Sequence, residues 1–69
     1  MTERLITTLK EVREAHGLTQ AQLAEAIGVS RKTINTVENG IFTPSTVIAL
    51  KLAAVLGQPV EALFSIVVE

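Results

Sequence analysis

Sixty-nine residues are enough for one small domain and leave no room for a second or for a deep enzyme cleft. Hydrophobic residues make up 48% of the chain against 19% charged, with two prolines and four glycines, which excludes disordered, collagen-like and low-complexity classes. Six Lys and Arg against seven Asp and Glu give a net charge of −1, a bulk value that argues against nucleic acid as a partner.

Arg4-Leu5-Ile6-Thr7 has strand character and precedes the first helix. Thr8-Leu9-Lys10-Glu11 reads as a capping box opening that helix, with Leu9, Val12 and His16 on one face and Gly17 as the left-handed exit. His16 reads as a half-buried residue of that face. Thr19-Gln20-Ala21-Gln22 repeats the device, and a second helix runs to Gly28, burying Leu23, Ala24 and Ile27. Ser30 caps a third helix that runs to about Glu38 with Ile34 and Val37 inward, and Asn39-Gly40 ends it. The fourth helix opens near Thr43-Pro44-Ser45, where either Thr43 caps with Pro44 at the first helical position or Ser45 caps one step later. From Val47 to Leu56 only Lys51 is polar, so this helix is expected to be buried nearly all round. A short helix, Pro59 to Leu63, leads into the β-branched tail Phe64-Ser65-Ile66-Val67-Val68-Glu69, a strand signal. The two termini are expected to pair as a small sheet, and an isolated two-stranded ribbon is marginal in water.

Gln20 to Glu38 is the most specific stretch. A tight turn between steeply crossing helices needs a residue free to take positive φ, here Gly28, and a small residue where the helices approach, here Ala24. Leu23, Ile27, Val29, Ile34 and Val37 supply the buried pegs, so type and spacing fit a helix-turn-helix. On the third helix Ser30, Arg31, Lys32, Thr33, Asn35 and Thr36 remain outward. Arg31 and Lys32 can donate to guanine O6 and N7 or neutralise phosphate, and Asn35 can bond adenine N6 and N7. Ser30, Thr33 and Thr36 offer a hydroxyl or a methyl to thymine. A polar stripe of this kind is also what a plain solvated helix face looks like.

These motifs, Thr19-Gln20-x-x-Leu23-Ala24, Gly28-Val29-Ser30-Arg31, Ile34-x-x-Val37-Glu38-Asn39-Gly40, Pro44-Ser45 and Leu63-Phe64, resemble the Cro/CI-type helix-turn-helix repressors over about residues 8–64. The resemblance implies an all-α, five-helix lambda-repressor-like DNA-binding domain spanning residues 1–69, with short terminal β-strands forming a dimer sheet. It divides the chain into a helical core at 8–64 and a dimerisation tail at 65–69. It further implies base reading by Arg31, Lys32 and Thr36, with Ser30 and Asn35 behind them. Phosphate contacts fall to Gln20, Thr33, Asn39, Thr43 and Ser45, although turn and cap chemistry alone would also explain the last three. Ala24, Gly28 and an Arg13–Glu38 pair are the structural positions. Where the family often has phosphate-binding lysines after the third helix, this chain has the apolar pair Ile41-Phe42.

The implied function is a homodimeric, sequence-specific transcriptional regulator, most simply a repressor on palindromic double-stranded DNA. Phe64, Ile66, Val67, Val68 and Leu5 are expected at an intermolecular sheet. A possible second protein partner belongs to the competing reading, an antitoxin or other interaction module, whose cues are the acidic balance and the apolar Ile41, Phe42 and tail. An enzyme is not expected: no Cys, one His and no Gly-rich phosphate loop leave no nucleophile triad, and neither cofactor nor metal is implied. The absence of Cys and of a long apolar segment leads to the expectation of a cytoplasmic protein with no membrane role.

Divided by segment, the net charge is less discouraging. Residues 1–16 sum to zero, 17–40 to zero and 41–69 to −1, yet both cations of the middle segment, Arg31 and Lys32, begin the third helix. The expectation is a DNA binder with few phosphate contacts, a shallow salt dependence and reliance on a dimer.

Overall fold

Hydroxyl caps and left-handed glycines cut the chain into short helices close to the places the sequence marks. In the computed structural model, which describes residues 1–69, β1 (Glu3–Thr7) leads into α1 (Leu9–Ala15). Then come α2 (Gln20–Ile27), α3 (Arg31–Glu38), α4 (Thr46–Leu56), α5 (Val60–Leu63) and β2 (Phe64–Val68). Thr19, Ser30 and Ser45 hold extended backbone, and their hydroxyls accept N–H from Gln22, Thr33 and Ile48. The cap of α4 is therefore Ser45 rather than Thr43. The box on α2 is complete, with the Thr19 N–H donating to Gln22 Oε1 at 2.9 Å.

The box expected at Thr8 does not form. Thr8 lies at φ −103°, ψ 14°, outside the extended region a capping residue needs, and makes no side-chain cap bond. Its hydroxyl instead donates to Ala62 O at 2.7 Å, and the Thr7 hydroxyl donates to Leu63 O at 2.7 Å while accepting the Leu9 N–H. The physical reason is a competing demand: the end of α5 arrives beside the start of α1 with unsatisfied carbonyls, and the two threonines serve them. The junction ties the two ends of the chain together.

β1 and β2 pair antiparallel within the chain, with Glu3 opposite Val68, Leu5 opposite Ile66 and Thr7 opposite Phe64. The expected pairing of the termini thus forms inside one molecule. Period-two alternation places Leu5, Phe64, Ile66 and Val68 on one face and Ile6 and Val67 on the other. The backbone pairing extends one residue further, through Thr2 and Glu69.

The core consists of Leu9, Leu23, Ala24, Ile27, Ile34, Val37, Leu52, Leu56 and Leu63, drawn from all five helices. α4 contributes only Leu52 and Leu56 to it, contrary to the expected all-round burial. Neighbouring helices cover one side of α4, so Val47 and Leu50 stay 61% and 57% exposed. His16, expected to be half-buried, is exposed at the end of α1: its Nδ1 lies 2.9 Å from Val12 O of its own helix, and the side of that turn packed against the fold is taken by Arg13. Lys51 reaches across to Ile27 O at 3.3 Å, a cation on the carbonyl end of α2. No helix is long and apolar enough to cross a membrane.

Candidate nucleic-acid interface

The turn between α2 and α3 requires a left-handed residue, and Gly28 takes φ 76°, ψ 33° there. The Val29 N–H returns to Ala24 O at 3.0 Å, closing α2, and Ala24 is 2% exposed where the two helices meet. A Cβ built on Gly28 would meet no atom within 4 Å. Gly28→Ala should therefore cost only the left-handed backbone penalty, about 1–2 kcal/mol in a denaturant titration. A loss above about 3 kcal/mol would point to a steric role instead.

Ile34 and Val37 hold one side of α3 in the core. At about 100° per residue, Lys32, Asn35 and Thr36 fall on the opposite side, with Thr33 and Arg31 on its flanks. Ser30, Arg31, Lys32 and Asn35 are exposed, and Thr33 and Thr36 are half-buried. Ion pairs occur at Arg4–Glu69 and Arg13–Glu38, so Arg31 and Lys32 carry free charge. Both sit in the first turn of α3, the positive end of the helix dipole, where cations cost stability and an anion is attracted. A local rule broken in this way, without a compensating partner in the fold, marks a functional surface.

Behind this face lies a polar brace. Arg13 Nε donates to Glu38 Oε2 at 2.6 Å, its Nη2 to Glu38 Oε1 at 3.2 Å, and its Nη1 to Leu18 O at 2.7 Å. The two side chains are 9% and 2% exposed. Gln20 Nε2 donates to Glu38 Oε1 at 3.0 Å, so α1, α2 and α3 meet on one carboxylate. Hydrogen bonding to Glu38 holds the Arg13 guanidinium above its ordinary pKa, against the opposing effect of burial. No buried side-chain N or O is left without a partner. The bond to Leu18 O could have been anticipated, because one carboxylate cannot occupy all five arginine donors.

The structure spends several of the expected contact groups on the fold. The Ser30 hydroxyl accepts the Thr33 N–H and lies 2.9 Å from the Thr33 hydroxyl. Thr36 Oγ1 donates to Lys32 O and Thr33 O, both at 3.0 Å. Asn39 Nδ2 donates to Asn35 O at 2.9 Å, closing the end of α3, and the Gln20 amide faces Glu38. Ser30, Lys32, Thr33 and Thr36 share a hollow with Ile41 and Phe42. Thr43 and Ser45 border a different one, with Leu5, Leu50 and Phe64. Of the phosphate candidates, Thr33 thus lines the first hollow and Thr43 and Ser45 the second.

Residues 9–63 match the protein family described as helix-turn-helix. The chain belongs to the helix-turn-helix family of transcriptional regulators. An uncharacterized regulator of this type from Methanocaldococcus jannaschii is 45% identical over 56 residues, which is 81% of this chain and 85% of the relative. Among solved structures, the restriction-modification controller protein C.AhdI from Aeromonas hydrophila superposes with a TM-score of 0.73 at 39% identity, covering 78% of this chain and 82% of the other. The clp gene regulator ClgR from Corynebacterium glutamicum superposes at 0.72 with 31% identity, covering 75% of this chain and 55% of that one. Helix-turn-helix regulators of this family and fold bind DNA and are not enzymes.

Proposed function

We propose that this helix-turn-helix regulator acts as a homodimeric repressor, reading a palindromic operator through the major groove. The observation that carries the reading is the pair of unpaired cations, Arg31 and Lys32, at the start of a helix whose opposite side is locked in the core. Arg31, Lys32 and Thr36, then Ser30 and Asn35, would meet base edges; Gln20, Thr33, Asn39, Thr43 and Ser45 would meet phosphates. With its side-chain amide on Glu38, Gln20 would act through its backbone N–H at the start of α2.

Selection of bound duplexes at two salt concentrations tests this. The expected outcome is a consensus of two inverted half-sites about 34 Å apart, with affinity falling only shallowly with salt. No preference for any duplex, even at low salt, would overturn it. Arg31→Ala should relax one base position in each half-site, at about 1–3 kcal/mol.

Dimerisation is supported by the apolar surface that one molecule leaves open. Leu5, Phe64, Ile66 and Val68 share a sheet face, and Leu5 and Phe64 border one hollow with Leu50 of α4. Val67 lies on the reverse of the sheet, so this surface takes four of the five tail and strand residues expected at the interface. A second reading, an antitoxin or other protein-binding module, draws on the same exposure together with that of Ile41 and Phe42. Co-purification with a different small protein in place of a second copy would favour it.

A further inference from the structure

The hollow beside α3 has a chemical character unlike the rest of the proposed reading face. The Thr36 hydroxyl hydrogen is spent on backbone carbonyls, so that hydroxyl can accept from a base but not donate to one, and the Thr33 hydroxyl lies against Ser30. Thymine presents only an acceptor and a methyl in the major groove, so toward that base Thr36 can offer its methyl alone. Ile41 and Phe42 follow at once, and both backbone N–H groups donate to Thr36 O, at 2.9 and 3.2 Å. The left-handed Gly40, at φ 72°, makes that reversal possible. The loop is thereby fastened to the last turn of α3, with Ile41 77% and Phe42 45% exposed beside Thr36. An apolar pair held this firmly in the open, where solvent contact is unfavourable, calls for a small apolar group at the same surface.

We propose that the hollow formed by Thr33, Thr36, Ile41 and Phe42 receives the 5-methyl group of a thymine in the major groove, making Ile41 and Phe42 specificity-determining residues. The assignment rests on the DNA-binding reading above. In the major groove that methyl is the one apolar feature of an unmodified base pair. Lys32 lines the same hollow and has only donors, which suits thymine O4 and opposes the N4 amine of cytosine. The chain thus replaces a charge-based grip at this loop with a methyl-based one, which fits its shortage of cations.

Substituting deoxyuridine for each thymidine of the selected operator, one at a time, removes only the methyl. Affinity of the full chain, read by fluorescence anisotropy, is expected to fall about three- to fivefold at one thymine per half-site, the worth of one buried methyl. Ile41→Asn and Thr36→Ser should each bring the ratio of thymine-operator to uracil-operator affinity, measured within the same variant, close to one. Ile41 is largely exposed, so Ile41→Asn should also melt normally. 5-Methylcytosine at the same place keeps the methyl but is expected to bind worse than thymine; equal or tighter binding would overturn the thymine assignment in favour of a methylated cytosine. Uniform tolerance of uracil, or a discrimination unchanged in both variants, would overturn the proposal while leaving DNA binding intact. If no duplex is selected at all, the DNA-binding reading falls and this inference with it.

Discussion

Arg13→Ala is expected to lower stability by about 3–5 kcal/mol, because it leaves Glu38 a buried carboxylate with one remaining donor, Gln20. In a domain of this size each kcal/mol moves the melting temperature by roughly 4–8 °C, so the midpoint should fall by more than about 12 °C. Much of this is the cost of an uncompensated charge rather than the worth of the pair. Arg13→Met combined with Glu38→Leu, which removes both charges and keeps volume, should therefore recover most of the loss. The guanidinium pKa is raised in the folded state, so the arginine's contribution is complete below its unfolded pKa and is lost only at strongly alkaline pH. Melting curves at pH 6 and pH 8 should accordingly show no loss of the arginine's part in the pair. A melting temperature unchanged by Arg13→Ala would refute the structural role of the brace. DNA affinity should fall as well, since the same carboxylate sets the position of α3 against α1 and α2.

Leu50→Asp and Ile66→Asp are expected to convert a dimer to a monomer in sedimentation while leaving the fold intact. Both side chains are more than half exposed in the single chain, at 57% and 65%, so the substitutions disturb little inside it. At an interface each would bury an unpaired carboxylate, which association cannot compensate. Operator affinity should fall by about a hundredfold or more, because the second half-site is no longer held at high effective concentration. Binding to a duplex carrying one half-site should stay nearly unchanged. A dimer that survives both substitutions would place the interface elsewhere.

α4 shows where a pattern in the sequence and its environment part ways. Its run from Val47 to Leu56 is apolar except for Lys51, which reads as burial nearly all round, yet Val47 and Leu50 lie open. Apolar composition records that a face must be covered; it does not record which molecule covers it. Thr8 is a similar case. Thr8-x-x-Glu11 satisfies the spacing of a capping box, but carbonyls of α5, more than fifty residues away in sequence, claim its hydroxyl. Local spacing cannot foresee a partner so distant along the chain.

The recognition surface was legible in unequal parts. The helix-turn-helix core could be read from Ala24, Gly28 and their apolar neighbours, because backbone conformation and close approach restrict residue type at those positions. Arg31 and Lys32 could be read as exposed, because the inward positions of α3 were already taken by Ile34 and Val37. The state of each hydroxyl could not. Apart from the Ser30 cap, which the sequence marks, Thr36 looks like any outward polar residue, yet its hydroxyl bonds back to the preceding turn. Nor could sequence alone bring Ile41 and Phe42 to the flank of α3, a placement that depends on two N–H groups converging on Thr36 O.

By itself the sequence determined the five helices, the glycine exits Gly17, Gly28 and Gly40, the caps Thr19 and Ser30, the core positions of α2 and α3 and the net charge near zero. All of these depend on interactions within a few residues or on simple counts. The tertiary structure decided the Thr7–Thr8 junction with α5, the closing of the terminal sheet inside one molecule, the joining of Gln20 and Leu18 to the Arg13–Glu38 pair and the open faces of α4 and of the loop after α3. Each of these joins groups far apart along the chain, and only folding brings such groups within hydrogen-bonding or van der Waals reach.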